Sequence, residues 1–193
     1  MKNIVASIFL LLLCTPSCTK KVKINKSEII KMNSFSKGFS NNRFYFIKSS
    51  IKIHENEKLF YYIFNGVEGY TNMLIIDSLD NVYFNYKKLD FVDRKMIKLK
   101  DTIINVEKYE NYNTNNLFDL RYFYLNKDSG LILEEYLDKG HIDAYNVKKF
   151  NEIHNIILRD SLLFKESDSI LKMKKWLKKV NSTRKYTHQT PSR

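Results

Sequence analysis

Short runs rich in tyrosine, phenylalanine and isoleucine recur between residues 43 and 137, at spacings of about 8–12 residues. Side chains of this kind favour the pleated, half-buried surface of a β-sheet. The runs are residues 43–48, 59–64, 73–76, 82–86, 97–99 and 103–109. Turn-like segments such as 77–81 and 111–116 separate them. This spacing predicts an antiparallel meander, sandwich or curved sheet and disfavours βαβ units.

The clearest hairpin joins residues 118–125 to residues 131–137 through a five-residue loop. In the second arm the alternation puts leucines on one face and acidic residues on the other: Leu131, Leu133 and Leu137 against Glu134 and Asp138. The loop ends in Gly130, which can supply the positive φ that such a loop usually needs. A tight antiparallel pair is therefore predicted here.

Beyond about Val147 the apolar period lengthens towards 3.6 residues, which predicts helix. One helical face would be Phe150, Ile153, Ile156, Ile157 and Phe164, although residues 156–158 could also form a final strand. Ser167 or Asp168 can cap a second helix over about residues 169–180. Its apolar arc would be Ile170, Met173, Trp176, Leu177 and Val180, opposite Lys172, Lys174, Lys175, Lys178 and Lys179. That amphipathic helix is expected to pack on the sheet or to lie on a membrane, with a partner helix or disorder as the remaining alternatives.

The expected fold class is therefore α+β. A mainly antiparallel sheet, as a meander or a curved sheet, would run from about residue 43 to residue 145. One or two C-terminal helices would follow it.

The net charge of +12 is concentrated at the two ends of the chain. Residues 19–52 carry nine basic and one acidic side chain, and residues 165–193 carry nine and two. Residues 53–164 carry 14 basic and 18 acidic side chains. A nucleic-acid-binding domain is expected to spread basic residues over a structured face, so this distribution argues against nucleic acid as a partner. Basic ends suit anionic lipid head groups or phosphate-bearing glycolipid, or they are simply solvated.

The first 17 residues have the pattern of a secretory signal peptide. Lys2 supplies a positive charge, residues 4–13 form an apolar run in which Ser7 alone is polar, and small residues follow. As a helix this run reaches roughly 15 Å, about half the hydrocarbon thickness of a bilayer, so it cannot span a membrane by itself. Its removal leaves Cys18 as the one cysteine, and the mature chain can then form no internal disulfide.

The segment Thr15-Pro16-Ser17-Cys18 resembles the processing motif of bacterial lipoprotein precursors. In that family an apolar residue and two small residues precede an invariant cysteine. Ser17 fits this pattern, whereas Thr15 and Pro16 depart from the usual leucine and small residue. Cys14 is the rival, but a bulky leucine directly precedes it. The resemblance covers about the first 20 residues and implies cleavage before Cys18, a thioether-linked diacylglycerol on it and usually an amide-linked acyl chain.

Two or more acyl chains would hold the protein firmly, since each buried CH₂ contributes about 0.8 kcal/mol. Thr19 stands where many lipoproteins retained on the inner membrane have aspartate, so the resemblance favours the outer membrane. The lysines that would contact a membrane surface are Lys20, Lys21, Lys23, Lys172, Lys175 and Lys179.

Four segments are expected: a signal peptide (1–17), the lipidated cysteine with a Lys/Asn/Ser-rich tether (18–42), one β-rich domain ending in the amphipathic helix (43–180) and a flexible basic tail (181–193). Within the domain, residues 120–133 are similar to a hairpin of periplasmic lipoprotein carriers and their sensor relatives. In those proteins a curved antiparallel sheet cups acyl chains. The match covers about 20 residues and its strand-turn-Gly-Leu motif is common.

Motifs that carry chemistry are missing from the sequence. The four histidines, His54, His141, His154 and His188, have no second metal ligand at a useful spacing, and each is expected on the surface or in a loop. Ser-x-x-Lys recurs, as at Ser34/Lys37, because serine and lysine are abundant. Glu134 and Glu135 would point to opposite faces of a strand. No catalytic residue, metal ligand or cofactor is therefore assigned.

Two functions follow as hypotheses. The first is a non-catalytic, membrane-anchored envelope lipoprotein that binds a protein, lipid or glycan. As a carrier it would need an apolar cavity lined by residues such as Phe84, Tyr122 and Leu133, and as an immunity or assembly factor an exposed aromatic patch. The second is an envelope hydrolase, which would need a polar cleft with converging titratable groups.

The lipoprotein prediction is tested by acyl-chain labelling of the wild type and of Cys18→Ser in native cells. We expect label on the wild type and none on the variant, because the thiol is the point of attachment. Intact mass spectrometry would contradict the prediction if the mature protein kept Met1 or began elsewhere without added fatty acid.

Overall fold

The computed structural model describes residues 23–36, 42–54, 57–64, 71–111, 120–137 and 140–176, apart from residue 173. Within these residues, eleven antiparallel strands form one curved, barrel-like sheet, and two short helices follow it. The mainly antiparallel α+β fold predicted from the sequence is confirmed.

The strands are β1 (Lys23–Ser36), β2 (Arg43–His54), β3 (Glu57–Phe64), β4 (Thr71–Ile76), β5 (Val82–Phe84), β6 (Lys87–Lys88), β7 (Asp90–Lys98), β8 (Ile103–Asn111), β9 (Arg121–Asn126), β10 (Gly130–Tyr136) and β11 (His141–Ala144). Helix α1 is Val147–Arg159, and α2 comprises residues 168–172 and 174–176.

The strand order is β6-β5-β4-β3-β2-β1-β11-β10-β9-β8-β7. Strands β1 to β6 thus form one meander and β7 to β11 a second, and β1 pairs with β11 where the two meet. Leu89 alone separates β6, at one edge of the sheet, from β7, at the other. Since an extended residue spans only about 3.5 Å, the two edges must lie close together and the sheet must curve.

The inner face of the sheet is filled by side chains from both meanders. Phe84 of β5 packs on Phe123 of β9 with ring centroids 4.7 Å apart, and Tyr62 of β3 meets Tyr145 edge-on at 5.2 Å. The other members of this buried cluster include Ile30, Met32, Ile47, Phe60, Leu74, Ile76, Val82, Tyr109, Leu125 and Leu131. The middle of the sheet is therefore a packed core.

A second core lies on the outer face of β7 to β11, beneath the helices. Phe150, Ile153 and Ile157 of α1 are buried there against Ile132, Leu133 and Ile142 of β10 and β11. Strands β9, β10 and β11 are therefore buried on both faces, which is why they alternate poorly between apolar and polar residues.

Residues 23–36, which the sequence assigns to the tether, instead form the central strand β1. The strand pairs along both sides, with β2 and with β11. Ile30 and Met32 enter the inner core, while Ile29 and Lys31 point to the exposed outer face. The segment looks polar in sequence because its outer face is exposed and its inner face ends in serines.

The predicted hairpin is confirmed as β9 and β10, and Gly130 has a φ of +82°. A register shift between Leu131 and Leu133 changes its faces, however. Leu131 belongs to the inner core and Leu133 to the outer one. Placing the leucines on one face and Glu134 on a polar face was wrong, and Glu134 is fully buried on the inner face.

Residues 156–158, for which a strand was an alternative, lie in α1. Phe164 follows the helix and is buried in the outer core. Ser167 caps α2, because its Oγ accepts the Ile170 N–H at 3.3 Å. Trp176, expected on the apolar face of that helix, is half exposed. In the described part of the chain, no helix has the length and apolar character needed to cross a membrane.

His154 was expected on the surface or in a loop, but it is a buried residue of α1. Its Nε2 lies 2.9 Å from the carbonyl oxygen of Ile132. Burial lowers its pKa, so the neutral imidazole is the form that the outer core holds.

Gly130→Ala is expected to lower the free energy of unfolding by about 3 kcal/mol. A Cβ would meet the Tyr62 hydroxyl and lie 2.7 Å from the Phe60 ring, at a φ that L-residues rarely adopt. The hydroxyl cannot simply move away, because it accepts the Leu131 N–H at 2.7 Å. Urea denaturation measures the loss.

Gly140→Ala is the matched control, since Gly140 also has a positive φ, +58°. Strain alone should cost about 1 kcal/mol there. Equal losses for the two variants would contradict the close packing assigned to Gly130.

Candidate functional site

Polar side chains replace the apolar core at one end of the inner face, where β1, β3 and β10 end and β2, β4 and β11 begin. We call this group the mouth site. It comprises Ser34, Ser36, Tyr45, Asn72, Arg121, Glu134, Tyr136, His141, Asp143 and Tyr145. Pairing of β1 with β11 sets Ser34 opposite Asp143 and Ser36 opposite His141. Residues more than 100 positions apart in sequence thereby become neighbours.

His141 is the centre of one hydrogen-bonded group. Its Nε2 lies 2.9 Å from Ser34 Oγ and 3.0 Å from Asp143 Oδ1, and its Nδ1 lies 3.4 Å from Ser36 Oγ. A carboxylate can only accept, so a proton on Nε2 satisfies Asp143. That tautomer leaves Nδ1 as an acceptor facing Ser36.

Arg121 and Glu134 form a second group, level with His141 and Asp143 along the strands. Arg121 Nη1 donates to Glu134 Oε1 at 2.7 Å, and the Tyr145 hydroxyl donates to Oε2 at 3.1 Å. The Arg121 guanidinium also stacks 4.5 Å from the Tyr136 ring centroid. Burial raises the pKa of Glu134, and the charge of Arg121 opposes that rise. The ion pair therefore balances the buried charge of Glu134 at this end of the inner face.

A cavity of about 320 Å³ opens beside these groups. Its walls are Met32, Ser34, Tyr45, Phe64, Asn72, His141 and Asp143. This volume is at the lower end of the range for small-molecule sites. A ligand the size of one sugar ring or one amino acid would fit, whereas an acyl chain would meet the packed aromatic core below.

The cavity walls offer both acceptors and donors. Asp143 accepts and Ser34 can do either, while the Asn72 amide accepts from Asn85 Nδ2 at 3.0 Å and uses one of its two N–H groups on the Tyr145 hydroxyl. Tyr45 and Phe64 supply aromatic surface beside these polar groups. Strands carry all of these residues, so their positions are largely fixed before a ligand arrives.

A second, smaller cavity of about 220 Å³ lies on the outer face between the sheet and the C-terminal segment. Lys108 is buried beside it, 3.6 Å from the Tyr122 ring centroid, and its Nζ donates to the Lys165 carbonyl at 2.8 Å. Burial lowers the pKa of Lys108 to about 8, against the charges of Glu135 and Glu166. These contacts tie the segment after α1 to β8 and β9.

The apolar cavity expected for a carrier is not formed by the residues assigned to it. Phe84 is buried in the inner core, whereas Tyr122 and Leu133 lie on the opposite face of the sheet under the C-terminal segment. Tyr122 and Leu133 line the cavity of about 220 Å³ on the outer face, and Phe84 does not, so the three residues share no cavity.

Of the residues predicted to meet a membrane, Cys18, Lys20, Lys21 and Lys179 lie outside the described residues. Lys23 begins β1, and Lys172 and Lys175 are exposed on α2. No group of three or more possible metal ligands occurs among the described residues.

Sequence reasoning missed the mouth site, and His141 was expected on the surface or in a loop. One local signal was present in His141-Ile142-Asp143, since residues i and i+2 of a strand share a face. Ser34 has no such signal, because the composition of its segment predicts a tether. Comparison with known protein families and with curated proteins finds no match for this chain.

Arg121→Met is expected to destabilise the protein by about 3 kcal/mol at pH 7, because it leaves Glu134 as an unpaired buried charge. Without the cation the pKa of Glu134 rises further above its unfolded value. A raised folded pKa favours the fold below the unfolded pKa and loses that contribution as the pH rises. The deficit should therefore shrink between pH 7 and pH 5, as measured by denaturation at several pH values.

Lys58→Met provides the control, because Lys58 pairs with the exposed Asp128 at 2.7 Å. This variant should lose no more than about 1 kcal/mol of unfolding free energy, and that loss should change little with pH. An Arg121→Met deficit that is constant from pH 7 to pH 5 would contradict the role assigned to Glu134.

Proposed function

We propose that this chain is a membrane-anchored envelope lipoprotein, attached through Cys18, whose body binds a small, neutral, hydroxyl-rich ligand at the mouth site. The observation that carries the ligand proposal is the cavity of about 320 Å³ with Ser34, Asn72, His141 and Asp143 in its wall. In this proposal the protein is a binding or accessory factor and not an enzyme.

Hydroxyl groups match the mouth site because each one both donates and accepts. Asp143 can accept from a ligand hydroxyl, and the Asn72 amide and the Ser34 hydroxyl can complete the hydrogen bonds of its neighbours. The aromatic surfaces of Tyr45 and Phe64 suit the apolar C–H face of a sugar ring. A single glycan unit is thus the ligand class that fits both the polar and the aromatic walls.

The charge balance of the site favours a neutral ligand over an anionic one. Arg121 offsets the charge of its partner Glu134 at 2.7 Å, and Asp143 is the carboxylate that faces the cavity. An added carboxylate or phosphate beside Asp143 would meet a like charge in a partly desolvated place.

The proposed anchor places the first residues of β1 close to a membrane, and the mouth site lies at the other end of that strand. Five residue steps separate Cys18 from the start of β1 at Lys23, which is at most about 18 Å of extended chain. The body would therefore lie next to the bilayer instead of at the end of a long tether. By the family resemblance, the outer membrane is the proposed location.

A hydrolase is the second candidate. It is favoured by the chain of contacts from Ser36 to His141 and from His141 to Asp143. Asp143 Oδ1 lies beside Nε2 of His141, and Ser36 Oγ lies beside Nδ1. As a general base, the imidazole could therefore accept a proton from the Ser36 hydroxyl. Two features make binding the better supported function. The Ser36 contact is long at 3.4 Å, and Ser34 shares Nε2 with the carboxylate.

Titration of the protein with glucose, N-acetylglucosamine and glucuronate, followed by NMR chemical shifts, tests the ligand class. We expect shifts at the mouth site with at least one neutral sugar and weaker binding of glucuronate. Asp143→Asn should weaken binding about tenfold, the size of one hydrogen bond to a charged group. The exposed Asp128→Asn is the matched control and should bind like the wild type.

Ser36→Ala separates the two candidate functions. A binding site should lose at most a few-fold in sugar affinity, while a hydrolase should lose its turnover of p-nitrophenyl acetate. Esterase turnover that depends on both Ser36 and His141 would overturn the non-catalytic proposal. So would the absence of any sugar-induced shift at the mouth site.

A further inference from the structure

The outer face of β1, β2 and β3 carries large apolar side chains that no described element covers. Ile29, Phe44, Phe46 and Ile63 are between 39% and 70% exposed. An antiparallel sheet with one solvated face normally presents polar residues there. Contiguous exposed apolar groups mark a surface that meets another molecule or a membrane. We call these four residues and the lysines among them the β1–β3 face.

Lysines alternate with the apolar residues across this face. Lys48 of β2 lies opposite Ile29 of β1 on one side and Ile63 of β3 on the other. Lys31 of β1 lies opposite Phe46, and its Nζ stands 3.9 Å from the Phe44 ring centroid. The pattern therefore combines apolar groups and positive charge at close intervals.

Positive charge continues along the same face. Lys52 of β2 places its Nζ 4.7 Å from the Tyr61 ring centroid. Among the described residues of β1 to β3, Glu57 is the one carboxylate on this face, at the far end of β3, since Glu28 points to the inner side. The face thus has a net positive charge.

We propose that the β1–β3 face binds the surface of an anionic phospholipid membrane. Aromatic and aliphatic groups would enter the interface between head groups and acyl chains, while the lysines extend to the phosphates. Lysine is depleted in protein–protein interfaces, whereas it is enriched on surfaces that bind anionic lipid. This chemistry selects a lipid surface over a protein partner.

The contact fits the path of the chain. Strand β1, which carries Ile29 and Lys31, is also the strand that follows Cys18 most closely in sequence. The orientation of the body rests on the proposed anchor, but the lipid contact does not. With the sheet lying along the bilayer, the mouth site would open beside the membrane surface.

Vesicle sedimentation tests the proposal with the chain from Thr19 onwards, which retains every residue that the structure describes and lacks the signal peptide and the lipidated cysteine. Vesicles of phosphatidylcholine with about one third phosphatidylglycerol should bind it at least tenfold more tightly than pure phosphatidylcholine. The double variant Ile29→Ser/Phe46→Ser should weaken binding about tenfold or more, because it removes two inserted groups.

Leu79→Ser/Leu162→Ser is the matched control, since both leucines are at least 80% exposed and lie away from the β1–β3 face. It should bind vesicles like the wild type, and circular dichroism should show both double variants folded. Equal losses of vesicle affinity in the two double variants would overturn the proposal. Vesicle binding that does not depend on phosphatidylglycerol would also overturn it. So would vesicle binding unchanged in Ile29→Ser/Phe46→Ser while that variant loses self-association in sedimentation velocity. The truncated chain lacks Cys18, and the substitutions leave the mouth site unchanged. The outcomes of the vesicle experiment are therefore independent of the proposed function.

Discussion

The antiparallel pairing of β1 with β11 holds the two meanders together. Either meander alone would expose an apolar inner face, and the ladder between residues 33–36 and 141–144 lets these faces bury each other. The same ladder aligns the serines of β1 with His141 and Asp143. One set of backbone hydrogen bonds thus closes the core and assembles the mouth site.

The inner face is apolar in the middle of the strands and polar at the mouth. In the middle, Phe60, Phe84 and Phe123 exclude water, and at the mouth the buried charge of Glu134 is balanced by Arg121. The cavity of about 320 Å³ at the mouth lies beside these polar groups, above the packed rings.

The sequence predicted what depends on local patterning and missed what depends on strand order. Runs of aromatic and β-branched residues, the Gly130 turn and the Ser167 cap are local signals, and the turn and the cap lie where they were expected. Most of the runs fall within strands, although the run at 97–99 marks only the end of β7. β1 was missed because a strand with one exposed face and a serine-rich end has the composition of a tether. Glu134 was misplaced because a bulge reverses the alternation. The mouth site draws on partners more than 100 residues apart, which no local pattern reports.

Hydrogen exchange followed by NMR tests the β1–β11 pairing most directly. If this ladder closes the core, the amides of Ile142 and Ala144 should exchange only through global unfolding, with free energies equal to that from denaturation. The amides of the edge strand β6 should exchange far faster. Exchange of the β11 amides at the rate of the β6 amides would contradict the closed arrangement and, with it, the mouth site.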